Sequence, residues 1–259
     1  MTAIDTPLVT VDLDVSCGLA LVEFSRPPHN FFDVELISAI AEAYAELDAD
    51  PRCRAIVLAS PGRHFCAGAD FSNRILTEVD STRLYRQAAR LFSFSVPVVA
   101  AVQGRAVGGG LGLAMSADFR IAAPSSKFVC NFSRLGTHHG FGLSVTLPAV
   151  IGQQRALELL YCGSVVTGTR AAEIGLCDQL VDEAEVRSAA LAYAQNIARS
   201  APLAVRAIRR TMWSAKYPAM VAEATEIERL EQAQLFATED FREGVRAAAE
   251  RRPPAFVGR

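Results

Sequence analysis

The chain lacks the features that most quickly place a protein in a class. Charge of one sign is missing: 26 Lys and Arg against 28 Asp and Glu leave a net charge of -2, with no long block of either sign. That balance gives no electrostatic footprint for nucleic acid or for an anionic membrane. Six cysteines (Cys17, Cys53, Cys66, Cys130, Cys162, Cys177) are scattered, with no C-x-x-C pair and no histidine at metal-ligand spacing. Neither a zinc site nor a disulfide framework fits them, so free thiols in a reducing compartment are expected. The start, MTAIDTPLVTVDLDV, carries acids and a proline where a signal peptide needs a basic beginning and an apolar run, and the cytoplasm is the expected location. Long hydrophobic runs are absent as well. The most apolar stretch, Val96 to Met115, is interrupted by Gln103, Arg105 and a glycine cluster, whereas a membrane span takes roughly 18 or more predominantly apolar residues. No G-x-S-x-G elbow is present, which excludes the common serine hydrolase arrangement.

What is present is an apolar chain of 259 residues, 51 % hydrophobic, long enough to bury a full-sized core. Val9, Val11, Leu13 and Val15 alternate with polar residues, the period of a half-buried strand, and LALVEF after Gly18 completes a hairpin. RPPHN breaks the chain. Asp33 then stands as an N-cap before Val34, Leu36, Ile37, Ile40 and Leu47, one apolar face of a helix. RAIVLAS and VPVVAAV read as buried strands. A polar helical segment to about Phe94 lies between them, a helix from about Leu111 to Ala117 follows GGG, and FRIAA and KFVCNF are two further short strands. After Gly142 the pattern is helical: QQRALELLYCG, TRAAEIGL, AEVRSAALAYAQNIARS, PLAVRAIRRTMWSA, EATEIERLEQAQLF and, beyond a Thr238 N-cap, EDFREGVRAAAERR. The expected fold is a mixed α/β core, residues 1–195, with a helical C-terminal region, residues 196–259, packed on it or on another subunit.

Two loops carry the chemistry. GRAVGGGLGLAMSAD sets three glycines between a buried strand and a helix, where backbone N–H groups can be approached closely. It does not match G-x-G-x-x-G, since position 113 is Leu, and it lacks the Lys and Ser/Thr of a phosphate loop. By itself it fits close helix packing as well as an anion site. HFCAGAD, His64 to Asp70, is a second loop of small residues after a buried strand. By itself it reads as a turn. Together, two such loops can aim two N–H groups at one oxygen, the arrangement needed when a thioester carbonyl becomes an enolate.

These two loops, in this order, resemble the crotonase superfamily, the enoyl-CoA hydratase/isomerase family. The resemblance spans nearly the whole chain: SRPPHNFFD, IVLAS with FCAGADF, VPVVAAVQGRAVGGGLGLAMSADFRIA, SRLGTHHGFG, AAEIGLCDQLVDE and FATEDFREGVRAAAERRPPAF. It implies a spiral of ββα units with a C-terminal helical trimerisation region, homotrimers often paired into hexamers, and an acyl-CoA thioester of fatty acid or related acid metabolism as substrate. Coenzyme A then arrives as part of the substrate, and no separate cofactor or metal is implied. The resemblance assigns the thioester oxygen to the N–H groups of Ala67 and Gly109. It places Gly68, Ala69 and Asp70 beside the adenine end of the coenzyme, Arg26 to Asn30, including His29, near its pantetheine or phosphates, and Gly108 and Gly112 along the glycine loop. Phe132, Leu135 and Phe141 make the acyl pocket apolar, and Phe256 with nearby basic residues covers the nucleotide.

The chain departs from the hydratases of that family, whose two glutamates would fall at Gly112 and Phe132. Neither side chain handles a proton, and hydration needs a water activated on one side and a proton delivered at the α-carbon. The single-base isomerases are equally unmatched at Phe132. In other branches an aspartate falls at Gly140, the neighbour of His139, which makes His138 or His139 a candidate base toward the acyl chain, for isomerisation or C–C cleavage. The competing reading is a structural imidazole in a glycine-rich bend. Tyr85 and Arg86, on the helix that lids the pocket in relatives, read as surface or core residues, and His64 as facing solvent or the coenzyme. A non-catalytic acyl-CoA binder is the alternative function.

Overall fold

The computed structural model describes residues 8–70, 78–213 and 216–259. A hairpin opens it, β1 (Val9–Asp14) antiparallel to β2 (Leu19–Phe24), followed by α1 (Val34–Ala49), whose Asp33 cap accepts from the Leu36 N–H at 3.0 Å. Then come β3 (Ala55–Ala59), α2 (Glu78–Arg90), β4 (Val98–Val102), β5 (Arg105–Val107), α3 (Gly109–Met115), β6 (Phe119–Ala122) and β7 (Lys127–Val129). The first residues of the expected polar helical segment, 71–77, lie outside the described residues, as does the start of the chain. The rest is α4 (Leu143–Ile151), α5 (Gln153–Cys162), β8 (Val165–Thr167), α6 (Gly168–Glu173), β9 (Gln179–Leu180), α7 (Val186–Ala198), α8 (Pro202–Met212), α9 (Tyr217–Leu235) and α10 (Glu239–Glu250).

Six strands form the main sheet in the order β1-β2-β3-β4-β6-β9, parallel from β2 onward, and β5-β7-β8 form a second, smaller sheet. Every residue of β3 and β4 is buried, because both faces of the main sheet are covered. One face carries Ile56, Leu58, Val98, Ala100 and Val102 against α1, α3 and the loops of the site. The other carries Val57, Val99 and Ile121 against Val186, Ala190, Ala194 and Ala198 of α7. The expected strands and helices are in place. Three short strands, β5, β8 and β9, and helix α4 were not expected. The strands are two or three residues long, too short to show a period.

The expected boundary at residue 195 falls inside α7, which belongs to the core through the sheet. Beyond it, α9 packs along α2 and α4, and α10 sits on the short turn Ser133–Leu135. Gly244 makes that last contact close: a Cβ there would lie 2.4 Å from the Leu135 carbonyl carbon. Two C-terminal helices therefore reach the site of their own chain. Among the described residues no helix is long and apolar enough to cross a membrane.

Candidate active site

The glycine run turns the chain from β5 into α3, and the FCAGAD loop lies beside it through the bridge between Cys66 and Ala106. Parallel pairing of β3 with β4 brings the two loops to the same end of the sheet. Above them lies a cavity of about 300 Å³. Its wall takes Ala67, Gly68, Ala69 and Asp70 from one loop, Val107, Gly108 and Gly109 from the other, and Phe132, Leu135 and Phe141 from the segment after β7. Phe31, Phe32, Leu84, Phe236, Val245, Ala248 and Ala249 make the remainder largely apolar, as a hydrocarbon ligand requires.

Backbone geometry corrects one expectation. The Ala67 N–H is already used, donating to the His29 carbonyl at 3.1 Å. The next peptide but one is arranged differently. The Gly68 carbonyl accepts from the Phe32 N–H at 3.0 Å, and in a trans peptide the following N–H points the opposite way. The Ala69 N–H is therefore turned away from Phe32, and it makes no hydrogen bond to another described residue. The Gly109 N–H is likewise unengaged among the described residues. The Gly108 carbonyl accepts from Leu111 and Gly112 inside α3, so the amide of Gly109 faces out of the helix. Two free amides, Ala69 and Gly109, thus border one apolar cavity.

The Arg26 and His29 side chains, expected near the pantetheine or phosphates, stand apart from this wall. The Arg26 guanidinium pairs with Asp33. The His29 ring stacks on His64 with centroids 6.2 Å apart, and neither is in the cavity wall. Burial, with the charges of Arg105 and Arg63 nearby, holds the His64 imidazole below its usual pKa.

Gly112 is not in the wall either, because Phe141 fills the space above it. A Cβ on Gly112 would lie 2.4 Å from the Phe141 Cβ. At Phe132, the second position where hydratases would carry an acid, a ring lies against Gly108. Packing closes the first place to any side chain, and an apolar ring takes the second.

The histidine pair departs from the expectation of a base facing the acyl group. Neither ring lines the cavity, although their neighbours Thr137, Gly140 and Phe141 do. The two rings stack on each other at 4.0 Å. His138 Nδ1 lies 2.8 Å from the His139 carbonyl, and His139 Nε2 is 2.8 Å from Ser144 Oγ. Burial, reinforced by His138, pushes the His139 pKa down to about 3. A neutral imidazole held this way is a weak base and no acid at neutral pH. Beneath it, Glu228 of α9 is fully buried and accepts from the Gly142 and Ser144 N–H groups at 2.7 and 2.8 Å, closing the first turn of α4. Desolvation raises its pKa and those hydrogen bonds oppose the rise. The cluster is a clasp for the 138–144 loop.

One polar contact was missed by sequence reasoning. Tyr85 of α2 lines the cavity, and its hydroxyl is 2.5 Å from Gln232 Oε1 of α9. Gln232 Nε2 in turn donates to the His138 carbonyl at 2.7 Å. A Cβ built on Gly140 would lie 2.1 Å from the Tyr85 hydroxyl, so the phenol occupies the space that a side chain at position 140 would take. Burial raises the Tyr85 pKa and keeps the phenol protonated. The resemblance placed Tyr85 on the helix that lids the pocket in relatives, and nothing in the sequence paired it with Gln232. Four of the six thiols are buried, with pKa values pushed up to about 11 or 12 by desolvation, which makes them inert. No group of three or more metal-ligating side chains occurs among the described residues.

A mixed α/β core with two loops of small residues beside one apolar cavity defines an α/β protein with a ligand-sized pocket at the loop end of its sheet. The family model for enoyl-CoA hydratase/isomerase matches residues 14–259, and the chain belongs to that family, within the crotonase superfamily, whose members act on acyl-CoA thioesters. It is 32 % identical over 256 residues to a probable enoyl-CoA hydratase of Bacillus subtilis, covering 96 % of this chain and 98 % of that one. It is also 32 % identical to the 1,2-epoxyphenylacetyl-CoA isomerase of Escherichia coli, covering 95 % of this chain and 97 % of that one. The crystal structure of an enoyl-CoA hydratase/isomerase from Pseudoalteromonas atlantica superimposes with a TM-score of 0.85 at 26 % identity, over 97 % of this chain and all of the other.

Proposed function

We propose that this chain binds an acyl-CoA thioester with its carbonyl oxygen between the Ala69 and Gly109 N–H groups, and stabilises the enolate that forms there. The observation that supports this is the pair of unengaged amides bordering one apolar cavity. Removing one such donor from an oxyanion site typically lowers kcat by roughly 100- to 1,000-fold, so two aligned donors supply a large share of the catalysis. The reaction is isomerisation, C–C cleavage or another single-base reaction through that enolate rather than ordinary hydration. Gly112 and Phe132 offer no acid, and the packing of Phe141 leaves no room for one. Phe31, Phe32, Phe132, Phe141 and Phe236 in the wall favour a bulky or aryl acyl group. The E. coli relative, named for a phenylacetyl thioester, is in keeping with that. Coenzyme A enters as part of the substrate.

The competing reading, a binder without turnover, draws on the wall itself. Its titratable side chains among the described residues are Asp70 and Tyr85. Mass spectrometry of saturated, enoyl and 3-oxoacyl-CoAs incubated with the protein in heavy water separates the two. Deuterium at the α-carbon, a shifted double bond or a cleaved fragment identifies the enolate enzyme. Binding with every mass unchanged, and every double bond unmoved by NMR, identifies the binder. Assembly into trimers or hexamers belongs to the same proposal and is supported by α8, where Leu203, Ile208 and Met212 are exposed.

A further inference from the structure

The loop that carries Phe141 into the acyl cavity is held against the preference of its own backbone. Among the described residues three that are not glycine have a positive φ: Asn30, Phe141 and Arg251. Asparagine tolerates that region, and Arg251 caps the end of α10, where a left-handed residue is common. Phe141, at 66°, has neither explanation, because a bulky side chain is strained there. Gly142 follows at 75°, so two successive residues take the left-handed turn before α4 begins.

A second unfavourable feature fixes the first. Glu228 of α9 is fully buried, and its two carboxylate oxygens accept from the Gly142 and Ser144 N–H groups at 2.7 and 2.8 Å. Withdrawing a carboxylate from water is costly unless hydrogen bonds offset the loss. Here the bonds that offset it are the ones that lock the chain just after Phe141. Strain of this kind persists only where the surroundings over-determine it, and it gathers at functional sites.

The strained backbone places a ring. Phe141 is 2 % exposed and borders the cavity. A Cβ on Gly112 would lie 2.4 Å from its Cβ and 2.7 Å from its Cγ, and one on Gly109 would lie 3.6 Å from its Cδ2. The ring meets Phe32 edge to face with centroids 5.7 Å apart, and Phe32 Cζ would lie 2.4 Å from a Cβ on Gly109. Gly109 and Gly112 are three residues apart on α3, so the two rings cover the stretch of helix that begins at the free Gly109 amide. A carbonyl oxygen held at that amide leaves the next one or two acyl carbons beside these rings, since bonded carbons lie only about 1.5 Å apart.

We propose that Phe141 sets the acyl shape by closing the space above Gly112, so that the site takes acyl groups unbranched beside the thioester carbonyl, and that Glu228 is the positioning residue that holds it there. The inference rests on the proposed acyl-CoA function and deepens it. Bulk or an aryl ring further along the chain is left to the rest of the wall. Removing the Phe141 ring opens the closed space to a branch, and weakening the clasp lets the ring leave it.

Calorimetric titration of butanoyl-CoA, 2-methylbutanoyl-CoA, 3-methylbutanoyl-CoA and free coenzyme A tests this. The parent is expected to bind butanoyl-CoA roughly tenfold or more tighter than at least one branched thioester, the scale on which a packed pocket rejects an extra methyl group. In Phe141→Gly that ratio is expected to fall to about threefold or less while free coenzyme A binds within about twofold of the parent. Glycine suits the left-handed backbone at 141, and Phe141→Leu, which keeps the core filled, carries the test if the glycine variant does not fold. Glu228→Gln keeps one acceptor oxygen and should move the ratio the same way by less. Branched and straight thioesters binding the parent within about twofold of each other overturn the inference and leave the acyl-CoA reading standing. A preference that survives at position 141, or an equal loss for free coenzyme A and every thioester, overturns it too. An unchanged ratio in Glu228→Gln removes the positioning role, and failure of every thioester to bind removes the acyl-CoA reading itself.

Discussion

Replacing Gly140 with alanine is the sharpest probe of how the acyl cavity is built. The backbone at Gly140 is not in the left-handed region, so the added methyl brings a steric cost and no conformational one. The new Cβ would lie 2.1 Å from the Tyr85 hydroxyl and 2.9 Å from its Cζ. Ordinary contact begins near ~3.4 Å, so the phenol must retreat by more than about 1 Å. That retreat breaks its 2.5 Å hydrogen bond to Gln232. Overpacking a well-filled site costs about 1–3 kcal/mol and the lost hydrogen bond about 1 kcal/mol, so Gly140→Ala should destabilise by about 2–4 kcal/mol. Urea unfolding reads this as a lower midpoint at unchanged slope. Tyr85→Phe removes the offending oxygen, so the double variant should be more stable than the two single costs predict, by about 1 kcal/mol or more. A Gly140→Ala variant within about 0.5 kcal/mol of the parent, or costs that simply add, would show that the phenol is not held where this reasoning places it.

The His139 imidazole makes stability depend on pH. Its folded pKa of about 3 lies below the unfolded value, so the unfolded chain takes up the proton first. Its contribution is complete above about 6.5 and is lost progressively as pH falls toward about 3. His139→Gln should flatten the acid limb of the stability profile measured by denaturant unfolding. Glu228→Ala strips the acceptor from the Gly142 and Ser144 amides and should cost about 3 kcal/mol or more, with Glu228→Gln milder; equal stability for all three proteins would argue against the clasp. His138→Gln should leave acyl-CoA affinity within about twofold by calorimetry, since that ring is outside the cavity wall. A Leu203→Glu, Met212→Glu double variant should lower the mass found by light scattering if α8 is buried between subunits; an unchanged mass would remove α8 from the interface.

Most of the scaffold was legible in the chain because local physics wrote it. The apolar runs of β3 and β4, the Asp33 and Thr238 caps and the alternation through the first hairpin each match one element. The two loops of the site were legible only as a pair, since each alone fits a turn or close helix packing and it is their order along the chain that points to the family. Which amide of a loop is free was not legible. Ala67 and Ala69 are alike as letters, and only the hydrogen bonds of His29 and Phe32 distinguish them.

The side chains of the acyl cavity were decided by tertiary structure. Tyr85 and Gln232 meet across 147 positions of sequence, on helices whose own patterns say nothing of the cavity. The adjacent histidines looked like the chemistry of the loop, but ring direction follows from packing: Ser144 and Glu228 draw His139 under α4. Sequence by itself determined the longer strands, the Asp33 and Thr238 caps, the glycine turn and the family. Tertiary structure decided which polar atoms are left without partners, because satisfaction of a hydrogen bond depends on what the distant parts of the chain bring to it.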